Sequence, residues 1–204
     1  LRHSSAASDV YKRQLLMDTK KAIFKRRTIH LFDKKKVSET IIENAIEAAN
    51  QAPCHRLTFP WRFYSVGSKK RIQILELALD IKFQNKKIDD KSKNLFSKKY
   101  LDPSHLLLAS QVLSEDQLIK KEDYAACSCA IQNLSLSLTT SGVFTKWSTG
   151  AITRNPKIYN IAGINSSKEE LIGFIWIGYG KELPEISRPL ICLLYTSDAA
   201  DEWR

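Results

Sequence analysis

The residues able to do chemistry fall in four short stretches. The first is Arg26-Arg27-Thr28, with His30 two residues further on. Two guanidiniums beside a hydroxyl offer planar, bidentate donors to an oxyanion. The competing reading is a solvated helix end whose cations answer the helix dipole. The second stretch is Ala52-Pro53-Cys54-His55-Arg56, followed by Pro60-Trp61-Arg62-Phe63. A helix broken at proline presents His55 and Arg56 on a loop ahead of a strand, where function concentrates. The plainer alternative for a lone histidine is an ordinary hydrogen-bonded side chain. The third is Trp147-Ser148-Thr149-Gly150-Ala151 at a strand end. Its hydroxyls and glycine backbone suit close approach by a planar ligand, or simply make a turn. The fourth is Arg188-Pro189, a further anion candidate.

Other chemistries find no support. Cys54 has no second cysteine nearby, so no metal site is expected. Cys127-Ser128-Cys129 lies within a helical pattern and reads as core packing. Gly178-Tyr179-Gly180 lacks the third glycine of a dinucleotide fingerprint. A phosphate-binding GxxxxGK[ST] loop and serine-triad spacing are both absent.

The elements that must position these stretches follow from periodicity. Residues 18–27 read as a short amphipathic helix. Ser38 is a candidate N-cap, with Glu39 in the positive first turn and Ile42, Ala45, Ile46 and Ala49 at helical spacing. Pro60–Val66 alternates like a strand. Residues 69–84 predict a helix with Ile72, Leu75 and Leu79 as its buried seam. Residues 86–102 are charged and read as a mobile helix or loop. His105–Leu113 is a strand, and Glu122–Ser141 the longest helix, nearly apolar all round and capped by Gly142. Val143–Ser148 is a short strand, Asn155-Pro156 opens a brief helix, and Leu171–Gly178 is a buried strand. The order predicts one α+β domain around a small four-stranded central sheet flanked by helices. The apolar long helix asks for a partner surface.

The chain has 204 residues, 43% hydrophobic and 26% charged, with four cysteines. That is an ordinary globular composition, which excludes extensive disorder and a disulfide scaffold. No apolar run reaches the roughly 18 residues of a membrane span, so no membrane association is expected. The net charge of +10 is spread over separated lysine pairs with no interleaved aromatic stripe. Nucleic acid is therefore not an expected partner.

Both ends read as foreign. Residues 4–14 (SSAASDVYKRQ) and 192–202 (CLLYTSDAADE) are explained by one DNA string read on opposite strands, and that string matches a sequencing-library transposon adapter. Residues 1–14 and 192–204 are thus expected to be non-native tails around a domain at 15–191. Met17 is the expected start. The tails hold four basic residues (Arg2, Lys12, Arg13, Arg204) and four acidic ones (Asp9, Asp198, Asp201, Glu202), so the remainder keeps the full +10. With no signal peptide after Met17 and reduced-looking cysteines, a cytoplasmic location is expected.

Taken together, the segments KAIFKRRTIHLFDKKKVSETIIENAIEAANQAPCHRLTFPWRF, SGVFTKWSTGAITRNPKIYNIAGI and LIGFIWIGYG resemble the FMN-dependent nitroreductase family, in particular its short, minimal members. The likeness covers essentially residues 17–191. It implies that Arg26, Arg27 and Thr28 hold the FMN phosphate and ribityl chain, with Arg188 completing the phosphate site. It implies that Trp147, Ser148 and Thr149 contact the flavin, and that the Gly150 N–H approaches flavin N5. Gln51 and His55 would reach the cofactor from the partner subunit of an obligate homodimer, whose two flavin sites lie at the interface.

On that resemblance Gly150 and His55 are the catalytic candidates, and His55 is the only one that titrates. The implied reaction is two-step hydride transfer, from NAD(P)H as co-substrate through FMN to a nitroaromatic, quinone or similar acceptor. Two departures stand out. Leu57-Thr58-Phe59 replaces an Asn-x-Gln pattern common in the family, and His30 stands where arginine or lysine is usual. The alternatives are another flavin chemistry on the same fold (flavin fragmentation, dehalogenation or dehydrogenation) or a non-enzymatic basic dimer binding flavin or RNA.

Overall fold

A computed structural model describes residues 18–84, 89–180 and 182–195. The chain runs α1 (Thr19–Lys25), α2 (Glu39–Asn50), β1 (Trp61–Ser65), α3 (Ser68–Phe83), α4 (Asp90–Leu101), β2 (His105–Val112) and α5 (Gln117–Thr140). It continues through β3 (Phe144–Ser148), a 3-10 turn (Ala151–Arg154), α6 (Pro156–Ala162) and β4 (Glu169–Gly178). The four described strands make one sheet in the order β1-β2-β4-β3, every neighbour antiparallel. This is the expected α+β architecture.

Alternation along the central strands builds two cores. Leu107 and Ala109 of β2 and Ile175 and Ile177 of β4 face α2 and α5, meeting Ala45, Ala130, Leu134 and Leu138. Leu106, Leu108, Phe174 and Trp176 face the other way, onto Ile74 and Leu77 of α3 and Ile158 of α6. Each fully buried Leu or Ile contributes about 1.5–3 kcal/mol relative to exposure. The β2–β4 register shifts between Ala109↔Gly173 and Ser110↔Leu171, which leaves Ile172 as an extra residue. The bulge lets Ile172 and Ile175 serve one core while Leu171 and Phe174 serve the other. At the same end of the sheet, Glu169 accepts hydrogen bonds from Tyr64 Oη (2.8 Å) and Ser110 Oγ (2.5 Å).

Local signals behave as their chemistry requires. Asn155 accepts from Lys157 N (3.0 Å) ahead of Pro156. Gly142 adopts φ +70°, with Val143 N–H donating to Leu138 O and Gly142 N–H to Thr139 O, a Schellman cap. Ser38 occupies the N-cap of α2, though its side chain makes no capping bond.

Three expectations need correction. The long helix begins at Gln117 rather than Glu122, because Asp116 Oδ1 accepts from the N–H groups of Leu118 (2.8 Å) and Ile119 (3.2 Å). That helix is not buried all round: Ala126, Ala130, Leu134 and Leu138 are buried, while Ala125, Cys129 and Gln132 are exposed. The seam of α3 is Ile74, Leu75, Leu77 and Ala78, and Ile72 is exposed. Apolar residues occur all around α3, so only its docking decides which face turns inward.

The charged segment expected as mobile contains α4, whose Asp89 N-cap accepts from Ser92 N (2.8 Å). Residues 85–88 lie outside the described residues, as do the expected tail 1–14 and most of the expected tail 192–204. Ile191–Leu193 form a 3-10 turn with exposed side chains. Among the described residues no helix is long and apolar enough to cross a membrane.

Candidate functional site

Helix α1 ends at Lys25, and Arg26, Arg27 and Thr28 leave it along the outer edge of β3. Thr28 bridges Thr145 in parallel, and Ile29 N–H donates to Thr145 O (3.3 Å). The early basic stretch and the later strand, 117 positions apart in sequence by these two threonines (145 − 28), are therefore side by side. Ile29 is buried and supplies the apolar anchor that holds the three preceding half-buried residues against the strand.

The exposed Arg188 lies within electrostatic reach of Arg26. Burial holds the Arg26 guanidinium below its ordinary pKa, and the positive charges of Arg188 and Arg27 push it the same way. Arg27 Nη1 donates to the carbonyls of Phe24 (2.6 Å) and Arg26 (2.9 Å), closing the end of α1. Among the described residues no carboxylate pairs with any of the three. Three guanidiniums that repel one another and lack an internal counter-ion form a donor set suited to a dianionic phosphate.

At the far end of β3, Trp147 turns its indole inward over β4. Nε1 donates to Ile172 O (3.3 Å), and the ring remains 36% exposed. Ser148 Oγ accepts from Trp176 Nε1 (3.0 Å). Ser148 and Thr149 open onto a cavity of about 250 Å³ that also presents Lys146, Lys99, Tyr100 and Trp176. Burial and the neighbouring Lys99 both lower the pKa of Lys146. Thr149 also borders a second cavity of about 440 Å³, with Lys120, Tyr124 and Arg154 at its wall.

Gly150 is extended (φ 161°, ψ −169°), a conformation open to any residue. A Cβ built on it would meet nothing within 4 Å. Nothing among the described residues demands glycine there, so the position leaves room for a flat group against the backbone. Its carbonyl accepts from Thr153 N and Oγ1, and its N–H meets no acceptor among the described residues. Gly150 lies five residues past Thr145, about 17 Å of extended chain. The geometry thus sets unpaired guanidiniums at one end of an edge strand and an uncommitted N–H past the other, a donor set that would fit a phosphate-bearing planar cofactor such as FMN.

Gln51 and His55 lie elsewhere. Both are exposed, at and beyond the end of α2, and neither borders the cavities that hold Ser148 and Thr149. Their loop is pinned to α5 by Thr58 Oγ1 donating to the buried Asp123 (2.5 Å) and by an Arg56–Glu122 ion pair (3.1 Å). Leu57 and Phe59 carry positive φ (52° and 45°), costly for residues of their type and a mark of a loop held in a defined shape.

Sequence reasoning passed over Lys146, Lys99, Gly173 and Asp123. Lys146 was within reach, since the two-residue period of β3 puts it on the face of Ser148. Among the described residues no cluster of metal-ligating side chains occurs.

The fold and site therefore define a class: an α+β protein with adjacent arginines along one edge strand and a glycine in open space just past that strand's end. Comparison with known proteins makes this specific. The nitroreductase family model matches residues 23–179, and the chain belongs to that family. It is 30% identical over 166 residues to the Bacillus subtilis (strain 168) protein named "Putative NAD(P)H nitroreductase YfhC", covering 80% of this chain and 84% of that one.

Among solved structures it resembles the nitroreductase-like family protein from Bacillus cereus (TM-score 0.76, 21% identity, 89% of this chain and 96% of that one). It also resembles a mutant of the FMN and NADPH-dependent nitroreductase NfnB derived from sphigopyxis sp. strain HMH (TM-score 0.73, 13% identity, 89% and 99%). At these identities the structural likenesses speak to the fold.

Proposed function

We propose that this chain is an FMN-dependent NAD(P)H oxidoreductase acting on nitroaromatics, quinones or similar acceptors. The observation that carries the reading is the convergence of Arg26, Arg27 and Arg188 beside β3 with no carboxylate among them. The chemistry that FMN supplies when bound is two-step hydride transfer, from NAD(P)H to the acceptor.

The chain's own residues bind and orient. Arg26, Arg27 and Arg188 take the phosphate through charge-assisted hydrogen bonds, and Thr28 lies beside them for the ribityl chain. Trp147, Ser148 and Thr149 flank the flavin. The free N–H of Gly150 is the donor for N5, and the absent side chain lets the ring approach. A preorganised N–H of this kind stabilises charge where it develops.

The enzyme works as a homodimer in the cytoplasm. Support for the dimer comes from the exposed small-residue face of α5 (Ala125, Cys129) and from the loop that exposes Leu57 (71%) and Phe59 (46%). Gln51 and His55 are exposed and border neither cavity around Ser148 and Thr149 of their own chain, and they are assigned to the site of a second copy. The relatives' names, which include NAD(P)H nitroreductase and FMN and NADPH-dependent nitroreductase, agree with this reading.

The absorption spectrum of purified protein tests it. An oxidised-flavin spectrum that bleaches with NAD(P)H and returns on adding nitrofurazone or a quinone is expected. A colourless protein that takes up no FMN overturns the proposal.

A further inference from the structure

Away from β3, a cavity of about 490 Å³ lies between α3, α4 and the chain before α2. Four cationic side chains border it (Lys34, Lys36, Arg71 and Lys98) against a single carboxylate, Asp102. Among the described residues none of these four is in an ion pair. The volume is that of a small-molecule site rather than of a lone ion.

Arg71 is the informative residue. It sits in the first turn of α3, and its guanidinium is drawn inward to the backbone ahead of β2. Nη1 donates to Pro103 O (2.6 Å) and Nη2 to Ser104 O (3.4 Å), while Nε is buried and has no partner. Burial alone lowers its pKa. A desolvated guanidinium held only by neutral carbonyls is costly unless an anion lies beside it, and with Nε sealed away the remaining Nη hydrogens are the ones that could meet an anion in the cavity. Fixing the side chain in advance also lowers the entropic cost of binding that anion.

We propose that this cavity is a second anion site, for the phosphoryl group of a phosphorylated small molecule, with Arg71 as its fixed donor and Lys34, Lys36 and Lys98 as its mobile charges. The ligand is organic rather than free phosphate, because the space exceeds what one phosphate fills and Leu101 and Pro103 give it an apolar wall. The site is separate from the Arg26 cluster and does not depend on the reading given to that cluster.

The test uses the chain carrying Arg26→Ala, so that the cluster beside β3 takes up the probe more weakly, and the lysine variants below separate the two sites. Isothermal titration at low salt is run with inorganic phosphate, ribose 5-phosphate, adenosine 5′-monophosphate and adenosine. Saturable binding of at least one phosphorylated probe is expected, tighter than inorganic phosphate, with none for adenosine. Lys36→Gln combined with Lys98→Gln, both exposed and outside the folded core, should weaken that binding about ten-fold or more, as should raised salt. Arg71→Lys keeps a charge but not the fork, and should weaken it again.

Inorganic phosphate binding as tightly as the organic probes would leave an anion site but overturn the organic ligand. Absence of saturable binding, or binding indifferent to the lysine pair, overturns the site altogether. Because the flavin is not needed for this readout, failure here leaves the oxidoreductase reading standing, and the reverse also holds.

Discussion

The Nε1–Cδ1 edge of the Trp147 indole rests against the backbone of Gly173 across the β3–β4 pair, where position 173 has no room for a side chain. A Cβ at 173 would come within 2.6 Å of the indole Cδ1 and closer still to Nε1. Glycine there lets the indole reach Ile172 O across the bulge of β4. Gly173→Ala should therefore cost about 1–3 kcal/mol through overpacking. Urea denaturation checks this, and adding Trp147→Ala should restore part of the loss. A substitution at 173 that leaves stability untouched would show that the ring does not rest there.

Arg26→Ala removes the centre of the three-guanidinium cluster. FMN affinity should fall ten-fold or more, since a charge-assisted contact to phosphate is worth about 1.5–3 kcal/mol. Stability should hold or rise slightly, because a half-buried cation repelled by Arg27 and Arg188 is relieved. Fluorescence titration of flavin and a melting curve read the two effects separately. Undiminished affinity would remove the phosphate assignment.

Thr58→Val strips the buried Asp123 of its one side-chain hydrogen-bond donor among the described residues. Leaving a buried carboxylate without that partner should cost about 1–3 kcal/mol. The loop carrying His55 should loosen as well, which hydrogen exchange across residues 52–60 would register. Asp123→Asn in the Thr58→Val background should recover stability, because a neutral amide is cheaper to bury unpaired.

Stability should fall steeply in alkali. Burial pushes the Tyr100 phenol up to about 12. It pushes the Cys127 thiol up to about 12 as well, with Asp123 adding to the effect. Unfolded, these groups lose their protons near 10 and 8.5. The unfolded state thus sheds protons first, and the stability both groups contribute is present below those values and lost as pH rises towards 12. Denaturant unfolding between pH 8.5 and 12 measures the slope. Tyr100→Phe should flatten its upper part, and Cys127→Ala should flatten it from the lower end onward.

Much of this molecule could be read from local chemistry. Asn155-Pro156 and Gly142 mark helix ends because capping is settled within a turn of chain. The strands show themselves within a few residues each, Pro60–Val66 by alternation and Leu171–Gly178 as a continuous apolar run. The motifs at 26–28 and 147–150 point to anion binding and close approach by residue type alone. What remained hidden was the choice between competing local signals and between helix faces. Asp116 outranked Glu122 as the start of α5 because its carboxylate could reach two free N–H groups. The inward face of α3 could not be chosen from a helix apolar on every side.

The sequence on its own determined which residues carry donors for an anion and roughly where the helices and strands lie, since those depend on residue type and on neighbours a few positions away. Only the tertiary structure brought Thr28 beside Thr145, turned Arg71 onto Pro103 and Ser104, and required glycine under Trp147. Those are contacts between segments that meet only once the sheet is formed and its two faces are packed, and no local propensity encodes them.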